Sequence, residues 1–309
     1  MTEEAGVAAA AGQQDAPSPA TGATRGSGHG ATPPTTPLTV ACVQMRSSRD
    51  PAENRETAIR LIGEAADAGA AYIQTPEMTG LVERSRAGLM ENIHSQDEDP
   101  LIPAVQDLAR RRGVTVHIGS LALRAGDKVA NRAIIIGASG DILATYDKIH
   151  LFDVDLPNGE SWRESGAYTG GDVAPVVRTP VGRVGVTICY DLRFPYLYRA
   201  LAEAGADILT APACFTRQTG EAHWQVLQRA RAIENGAFVI SAAQGGRHAD
   251  GRETYGHSII VDPWGVVLAE AGEAPGVILA SIDLAAVAAA RQRIPALRHT
   301  RPFSVRRVG

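Results

Sequence analysis

The chain has 309 residues, 44% hydrophobic and 21% charged, with 30 Lys+Arg against 34 Asp+Glu for a net charge of −4. That is an ordinary globular composition with enough apolar material for a sizeable core. The near balance of charge argues against nucleic acid or an anionic membrane surface as partner, and no apolar run approaches the ~20 residues of a membrane-crossing helix. Three cysteines, Cys42, Cys189 and Cys214, with no CxxC pair, argue against a disulfide framework or structural zinc site and fit a reducing cytosol.

Residues 1–37 contain 28 Ala, Gly, Thr, Pro or Ser and no periodic apolar pattern, so they read as a disordered low-complexity tail. A secretory signal would need a basic start and a continuous apolar stretch. An organelle transit peptide is poorly matched, because Glu3, Glu4 and Asp15 are present and Arg25 is the only arginine. The GSGHG run at 26–30 follows no strand, so it is no phosphate loop.

From Leu38 the pattern changes. Leu38–Gln44 reads as a strand. Pro51–Gly69 reads as a helix with Ala58, Leu61, Ile62, Ala65 and Ala66 on one face, an N-cap at Asp50, Pro at its first position and Gly at its end. Ala71–Gln74 is a short strand running into Thr75-Pro76-Glu77. A helix over 101–112 and a strand Val114–Ser120 follow. Asn131–Ile136 and Ile142–Tyr146 flank a turn at 138–141 and predict a hairpin. Val184–Ile188 is a strand ending at Cys189. Next come a helix over 195–204, the strand Asp207–Thr210, a helix His223–Asn235 closed by Gly236, and the strand Phe238–Ala242. A second hairpin joins Ser258–Val261 and Val266–Ala269 through Asp262-Pro-Trp-Gly265. Val277–Ile282 is the last strand, and Asp283 caps a helix to Arg293. Alternating strands and helices with hairpins mixed in predict an α/β fold with mixed rather than purely parallel sheets. No linker is visible after residue 37, which predicts one domain over 38–285 and a C-terminal extension over 286–309.

Three residues close predicted strands: Glu77, Lys148 and Cys189. A carboxylate could take a thiol proton, an ammonium could stabilise charge on a substrate oxygen, and a thiolate could attack a carbonyl carbon. Taken singly, each also has a structural reading: a solvated carboxylate, a snorkelling or paired lysine, a buried cysteine. None of the eight histidines has a spacing that pairs it with Cys189. Cys42 reads as core and Cys214, in a loop after Pro212, stays ambiguous.

Thr75-Pro76-Glu77, Tyr146-Asp147-Lys148-Ile149-His150 and Ile188-Cys189-Tyr190-Asp191-Leu192-Arg193-Phe194-Pro195 resemble, in order, the three signatures of the nitrilase superfamily of carbon–nitrogen hydrolases. The resemblance spans 38–300. The stretches 150–155, 222–227, 229–234, 243–248, 255–257 and 261–265 are similar to the Nit branch, whose members include amidases of deaminated glutathione and omega-amidases. The His223/Trp224 and Gln244–His248 stretches resemble the former more closely.

The resemblance implies a four-layer α-β-β-α sandwich with mixed sheets, and a homo-oligomer, dimer or higher. It implies Cys189 as nucleophile, Glu77 as general base, and Lys148 with the Tyr190 N–H as oxyanion donors. A second glutamate maps to Glu164, with Glu160 as the alternative. The substrate would be a small carboxylate-bearing amide, with no metal and no organic cofactor. The absence of an HExxH motif and of paired Cys/His spacings agrees. Arg193 either pairs with Asp191 or faces a substrate carboxylate, and Phe215 and Thr216 are candidates for the pocket wall. Omega-amidase, nitrilase and N-carbamoyl amino acid hydrolase are the alternatives within the class, because shared machinery does not separate substrates. A catalytically silent scaffold and a thiol-redox protein are the alternatives outside it, the latter lacking a resolving cysteine near Cys189 in sequence. The arginines at 291, 293, 298, 301, 306 and 307 lack interleaved aromatics and read as a solvated or subunit-contacting end rather than a nucleic-acid site.

Overall fold

The computed structural model of the chain describes residues 37–157 and 159–309. The predicted tail, up to residue 36, lies outside the described residues. In chain order the elements are β1 (Leu38–Gln44), α1 (Pro51–Asp67), β2 (Tyr72–Gln74), α2 (Arg86–Asn92), α3 (Leu101–Arg112), β3 (Thr115–Ala125), β4 (Lys128–Ile136), β5 (Ile142–Asp147), β6 (Asp153–Asp155), β7 (Ser161–Arg163) and β8 (Tyr168–Thr169). The second half comprises β9 (Val176–Thr179), β10 (Gly182–Gly185), α4 (Pro195–Glu203), β11 (Ile208–Thr210), α5 (Arg217–Asn235), β12 (Phe238–Ser241), β13 (Gly245–Arg247), β14 (Glu253–Tyr255), β15 (Ile259–Val261), β16 (Val267–Glu270), β17 (Gly276–Ile282) and α6 (Ala285–Arg293).

A seven-stranded sheet runs β17-β1-β2-β3-β4-β5, with β8 added beside β4, and a six-stranded sheet runs β16-β15-β12-β11-β10-β9. In both sheets a parallel centre is flanked by antiparallel strands, as the mixture of crossovers and hairpins predicts. The period-two alternation of the first sheet assigns its faces. Val40, Cys42, Tyr72, Ala133 and Ile135 pack inward with residues of the second sheet such as Val184 and Ile208. Ala41, Val43, Ile73, Ile134 and Ile136 pack outward against Leu61 and Ile62 of α1 and Val105 and Leu108 of α3. Helices α4 and α5 cover the other side of the second sheet through Leu201, Trp224 and Ala232. The result is four layers, α-β-β-α.

Local chemistry explains the boundaries. The Asp50 carboxylate accepts from the Ala52 and Glu53 N–H groups, Pro51 opens α1, and Gly69 takes φ +88° just beyond its end. The layer between the sheets is not wholly apolar. Gln74 Oε1 accepts from the Ala242 N–H at 2.8 Å, and Gln44 Oε1 from the Ser258 N–H at 2.9 Å. These buried amides bind one sheet to the other.

The structure departs from the sequence reading in several places, among them the short strands β6, β7, β8, β9, β13 and β14, which the reading lacks. Strand β3 runs on to Ala125 and turns directly into β4. Helix α2 has no counterpart in the reading, being a single short helix with one buried residue, Leu89. Strand β10 stops at Gly185, and the buried run 186–188 leaves the ladder to carry the chain to Cys189. Helix α5 starts at Arg217 rather than His223. Gly220 sits inside it, where a Cβ would lie 2.2 Å from the Tyr255 side chain.

Candidate active site

Glu77, Lys148 and Cys189 lie 41 residues or more apart in sequence and meet at one end of the sandwich, where the chain leaves β2, β5 and the extended run after β10. Each is held by its own local device. Beyond β2, Thr79 donates to the Pro76 carbonyl at 2.7 Å, and Gln244 Nε2 donates to the Glu77 carbonyl at 3.1 Å. The Lys148 N–H donates to the Asn131 carbonyl, and its own carbonyl accepts from Gly171, where a Cβ would meet the Asp147 carbonyl at 2.4 Å. Cys189 opens a 3₁₀ turn, Cys189–Arg193, with φ +49°, and its N–H donates to the Pro212 carbonyl at 3.0 Å. A cysteine in the left-handed region is strained, and such strain persists where surrounding structure enforces it.

Lys148 is 2% exposed, Glu77 3% and Cys189 7%. Lys148 Nζ donates to Glu77 Oε1 at 2.9 Å and to Glu164 Oε2 at 2.9 Å. Asn131 Nδ2 bridges the same carboxylates, at 2.9 Å to Glu77 Oε1 and 3.0 Å to Glu164 Oε1. Glu77 Oε2 accepts from the Cys214 N–H at 2.8 Å, and the Cys189 thiol hydrogen-bonds to the Glu77 carboxylate. The Phe152 N–H fixes Glu164 Oε2 at 2.6 Å.

Burial opposes charge on all three groups, and their mutual contacts decide the outcome. For Glu77, burial favours the acid, but the Lys148 ammonium and hydrogen bonds from Cys189, Lys148 and Asn131 hold its carboxyl below the ordinary value. For Lys148, burial is outweighed by the Glu164 and Glu77 carboxylates, which push its pKa well up. The Cys189 thiol is pushed well up by burial and by the facing Glu77 carboxylate. At neutral pH the site is therefore thiol, carboxylate and ammonium. The thiol needs a base, and the carboxylate beside it is ionised and aimed at it.

These groups form the floor of a cavity of about 290 Å³ lined also by Phe152, Trp162, Tyr190, Arg193, Phe215, Thr216 and Arg252. All the predicted site residues thus line one space except Glu160. That residue is absent from the lining, and its carboxylate accepts from Trp162 Nε1 at 3.3 Å, while Glu164 is the glutamate that meets Lys148. The expected Arg193–Asp191 pair does not form. Asp191 is filled by the Tyr146 hydroxyl, the Ile188 and His150 N–H groups and the His150 ring. Arg193 instead reaches over the Phe215 ring at 5.4 Å, with Nη1 3.3 Å from His223 Nδ1. Phe215 is braced edge-on by buried Trp224, centroids 5.0 Å apart.

Asn131, the Cys214 N–H, Trp162 and Arg252 were missed by the sequence reading. The only available signal was Asn131, a polar residue within an apolar strand run. Cys214, ambiguous in sequence, lines the same cavity as Cys189.

A buried thiol against an ionised carboxylate, with an ammonium and a backbone N–H turn beside it, is a constellation for acyl transfer through a cysteine, carried on a two-sheet α/β sandwich. The family model described as carbon-nitrogen hydrolase matches residues 39–292, and the chain belongs to that family. It is 43% identical over 273 residues to the deaminated glutathione amidase of Mus musculus, covering 86% of this chain and 84% of the relative. Among solved structures, the C. elegans NitFhit protein superposes with a TM-score of 0.81 at 35% identity, covering 86% of this chain and 66% of that one. A glutamate-to-glutamine mutant of the amidase from Nesterenkonia sp. AN1, carrying the acetamide moiety of fluoroacetamide on its active-site cysteine, superposes with a TM-score of 0.72 at 25% identity, covering 88% and 97%. Among the described residues no helix is long and apolar enough to cross a membrane.

Proposed function

We propose that the protein is an amidase that hydrolyses deaminated glutathione to 2-oxoglutarate and cysteinylglycine, with residues 38–285 carrying the reaction. The observation behind this reading is the contact between the Cys189 thiol and a Glu77 carboxylate that Lys148 keeps ionised, at the floor of the cavity. Glu77 takes the thiol proton as Cys189 Sγ attacks the amide carbon. The oxyanion forms against Lys148 and the Tyr190 N–H. The C–N bond breaks as Glu77 returns that proton to the departing amine, leaving a thioester. Glu77 then removes a proton from water, the hydroxide attacks the thioester, and the acid leaves as the thiol is regenerated. Glu164 and Asn131 position Lys148 and Glu77 rather than exchange protons.

Arg193 is the acyl-side anchor, holding the carboxylate of the 2-oxo acid, with Phe215 and Thr216 shaping the wall. The mouse relative supports the substrate assignment. A panel of deaminated glutathione, 2-oxoglutaramate, simple nitriles and N-carbamoyl amino acids tests it by kcat/KM. Highest kcat/KM on deaminated glutathione is expected; a preference for 2-oxoglutaramate would make the protein an omega-amidase, and turnover of none would end the reading. Mass spectrometry separates hydrolysis from thiol redox: an acyl adduct on Cys189 fits the former, an oxidised thiol alone the latter.

A homo-oligomer and a cytosolic setting belong to the same proposal. Val226 and Ile233 of α5, 67% and 53% exposed, and Phe303 in the C-terminal segment, 87% exposed, suit a subunit contact. All three cysteines are free, which suits a reducing compartment. Sedimentation gives the mass; a monomer across working concentrations would remove the oligomer.

A further inference from the structure

Five arginines line the cavity, Arg84, Arg86, Arg163, Arg193 and Arg252, and two of them are held by protein oxygens. Arg86 donates to the Gly166 and Asp127 carbonyls, and Arg163 pairs with Asp155. Arg252 differs. Among the described residues no carboxylate lies within ion-pair distance of its guanidinium. Asp250, in its own turn, instead accepts from the Arg252 backbone N–H at 2.9 Å. Arg252 Nη1 donates to Cys214 Sγ at 3.3 Å, and its Nε is buried without a hydrogen-bond partner. Its guanidinium lies over the Trp162 ring at 4.2 Å from the centroid, with Arg84 over the same ring at 4.8 Å. The Arg252 guanidinium, partly enclosed and with no ion-paired carboxylate, leaves its charge available to an anion that enters the cavity.

Position selects the anion. Cys214 links Arg252 to the base: its Sγ accepts from Arg252 while its N–H donates to Glu77 Oε2. The departing nitrogen must collect its proton from Glu77, so the amine half of the amide extends from Glu77 along the wall that Arg252 occupies. Arg193, on the Tyr190–Phe215 wall, is left for the acyl half.

We propose that Arg252, stacked on Trp162, binds a carboxylate carried by the amine half of the substrate, so that the preferred amides carry a carboxylate on each side of the scissile bond. This rests on the amidase reading above and adds the residue that distinguishes a carboxylated leaving amine from ammonia.

The test compares substrates with the same acyl half. Deaminated glutathione releases cysteinylglycine, which carries a carboxylate; 2-oxoglutaramate releases ammonia, which does not. In Arg252→Gln the ratio of kcat/KM for the first over the second falls ~10-fold or more, the size expected for a charge-assisted hydrogen bond, and Arg252→Lys recovers part of it. Deaminated glutathione with its C-terminal carboxylate converted to a carboxamide supplies a version free of folding effects. The wild-type protein loses ~10-fold or more on that change, and Arg252→Gln loses little further. An unchanged ratio in Arg252→Gln, or a wild-type protein indifferent to the carboxamide, overturns the assignment while leaving the amidase reading intact. A wild-type protein that hydrolyses neither amide overturns the amidase reading itself.

Discussion

Two buried carboxylates sit beside the same pair of sequence motifs and behave differently. Glu77 meets Lys148, and Asp191 meets Tyr146 and His150, each two residues from that lysine; Cys189 is itself two residues from Asp191. Asp191 is 0% exposed and takes four hydrogen bonds, from the Tyr146 hydroxyl at 2.6 Å, the Ile188 N–H at 2.9 Å, the His150 N–H at 3.1 Å and the His150 ring at 2.7 Å. None of its partners is a cavity-lining residue. Glu77 is equally well bonded, but one of its partners is a thiol, and Lys148, Cys189 and Cys214 among them line the cavity. A saturated carboxylate facing only protein is a structural tie. The same group facing a thiol and a cavity is equipped to move a proton.

Substitutions sharpen that contrast. The largest effect is expected at Cys189 and Glu77. Cys189→Ala abolishes turnover while the melting profile stays native, and Glu77→Gln lowers kcat by orders of magnitude because the base serves both half-reactions; near-wild-type turnover in either would break the contrast. Lys148→Ala comes next. It removes an oxyanion donor, at ~100-fold or more in kcat, and leaves Glu77 and Glu164 buried without their cation, at ~3–5 kcal/mol in denaturant unfolding.

Asp191→Asn reverses the emphasis: stability falls by ~1–3 kcal/mol as the network loses a charged acceptor, with a far smaller rate loss than in Glu77→Gln. A Glu77-like collapse of kcat in a folded Asp191→Asn would erase the distinction.

The smallest effect concerns a third buried group. The His117 ring lies between the sheets, and burial lowers its pKa to about 3; Nδ1 lies 2.8 Å from the Tyr72 hydroxyl, and Nε2 has no partner among the described residues. Folding holds the ring neutral, whereas the unfolded chain protonates near ~6.5. Its contribution is thus present above that value and lost as pH falls toward 3, at up to ~1.4 kcal/mol per pH unit. Glu77, with its pKa lowered, adds loss in the same direction at more acid pH. Unfolding free energies at pH 7 and pH 5 should differ less in His117→Gln than in the wild-type protein.

Legibility followed the range of the interaction. Strand β1 and helix α1 were readable because alternation, an Asp-Pro start and a Gly stop are local features, and β1 was observed with the bounds read from sequence. Helix α5 begins earlier than its sequence reading, and Gly220 in the added stretch packs against Tyr255, from another element. Glu77, Lys148 and Cys189 were identifiable as strand-end residues in ordered motifs. Between Glu164 and Glu160 nothing local decided, because both lie near the β6–β7 hairpin and only one faces Lys148.

The chain by itself determined the mixture of strands, hairpins and helices, the order of the motifs and the residues able to do cysteine chemistry, since periodicity and side-chain type are written along it. Tertiary structure alone decided that Asn131 bridges two carboxylates, that Cys214 offers Glu77 its N–H across 137 residues, and that Arg252 lies over Trp162 with no ion-paired carboxylate among the described residues. Hydrogen bonds and burial depend on distance in space, and a folded chain brings together groups whose spacing in sequence carries no trace of it.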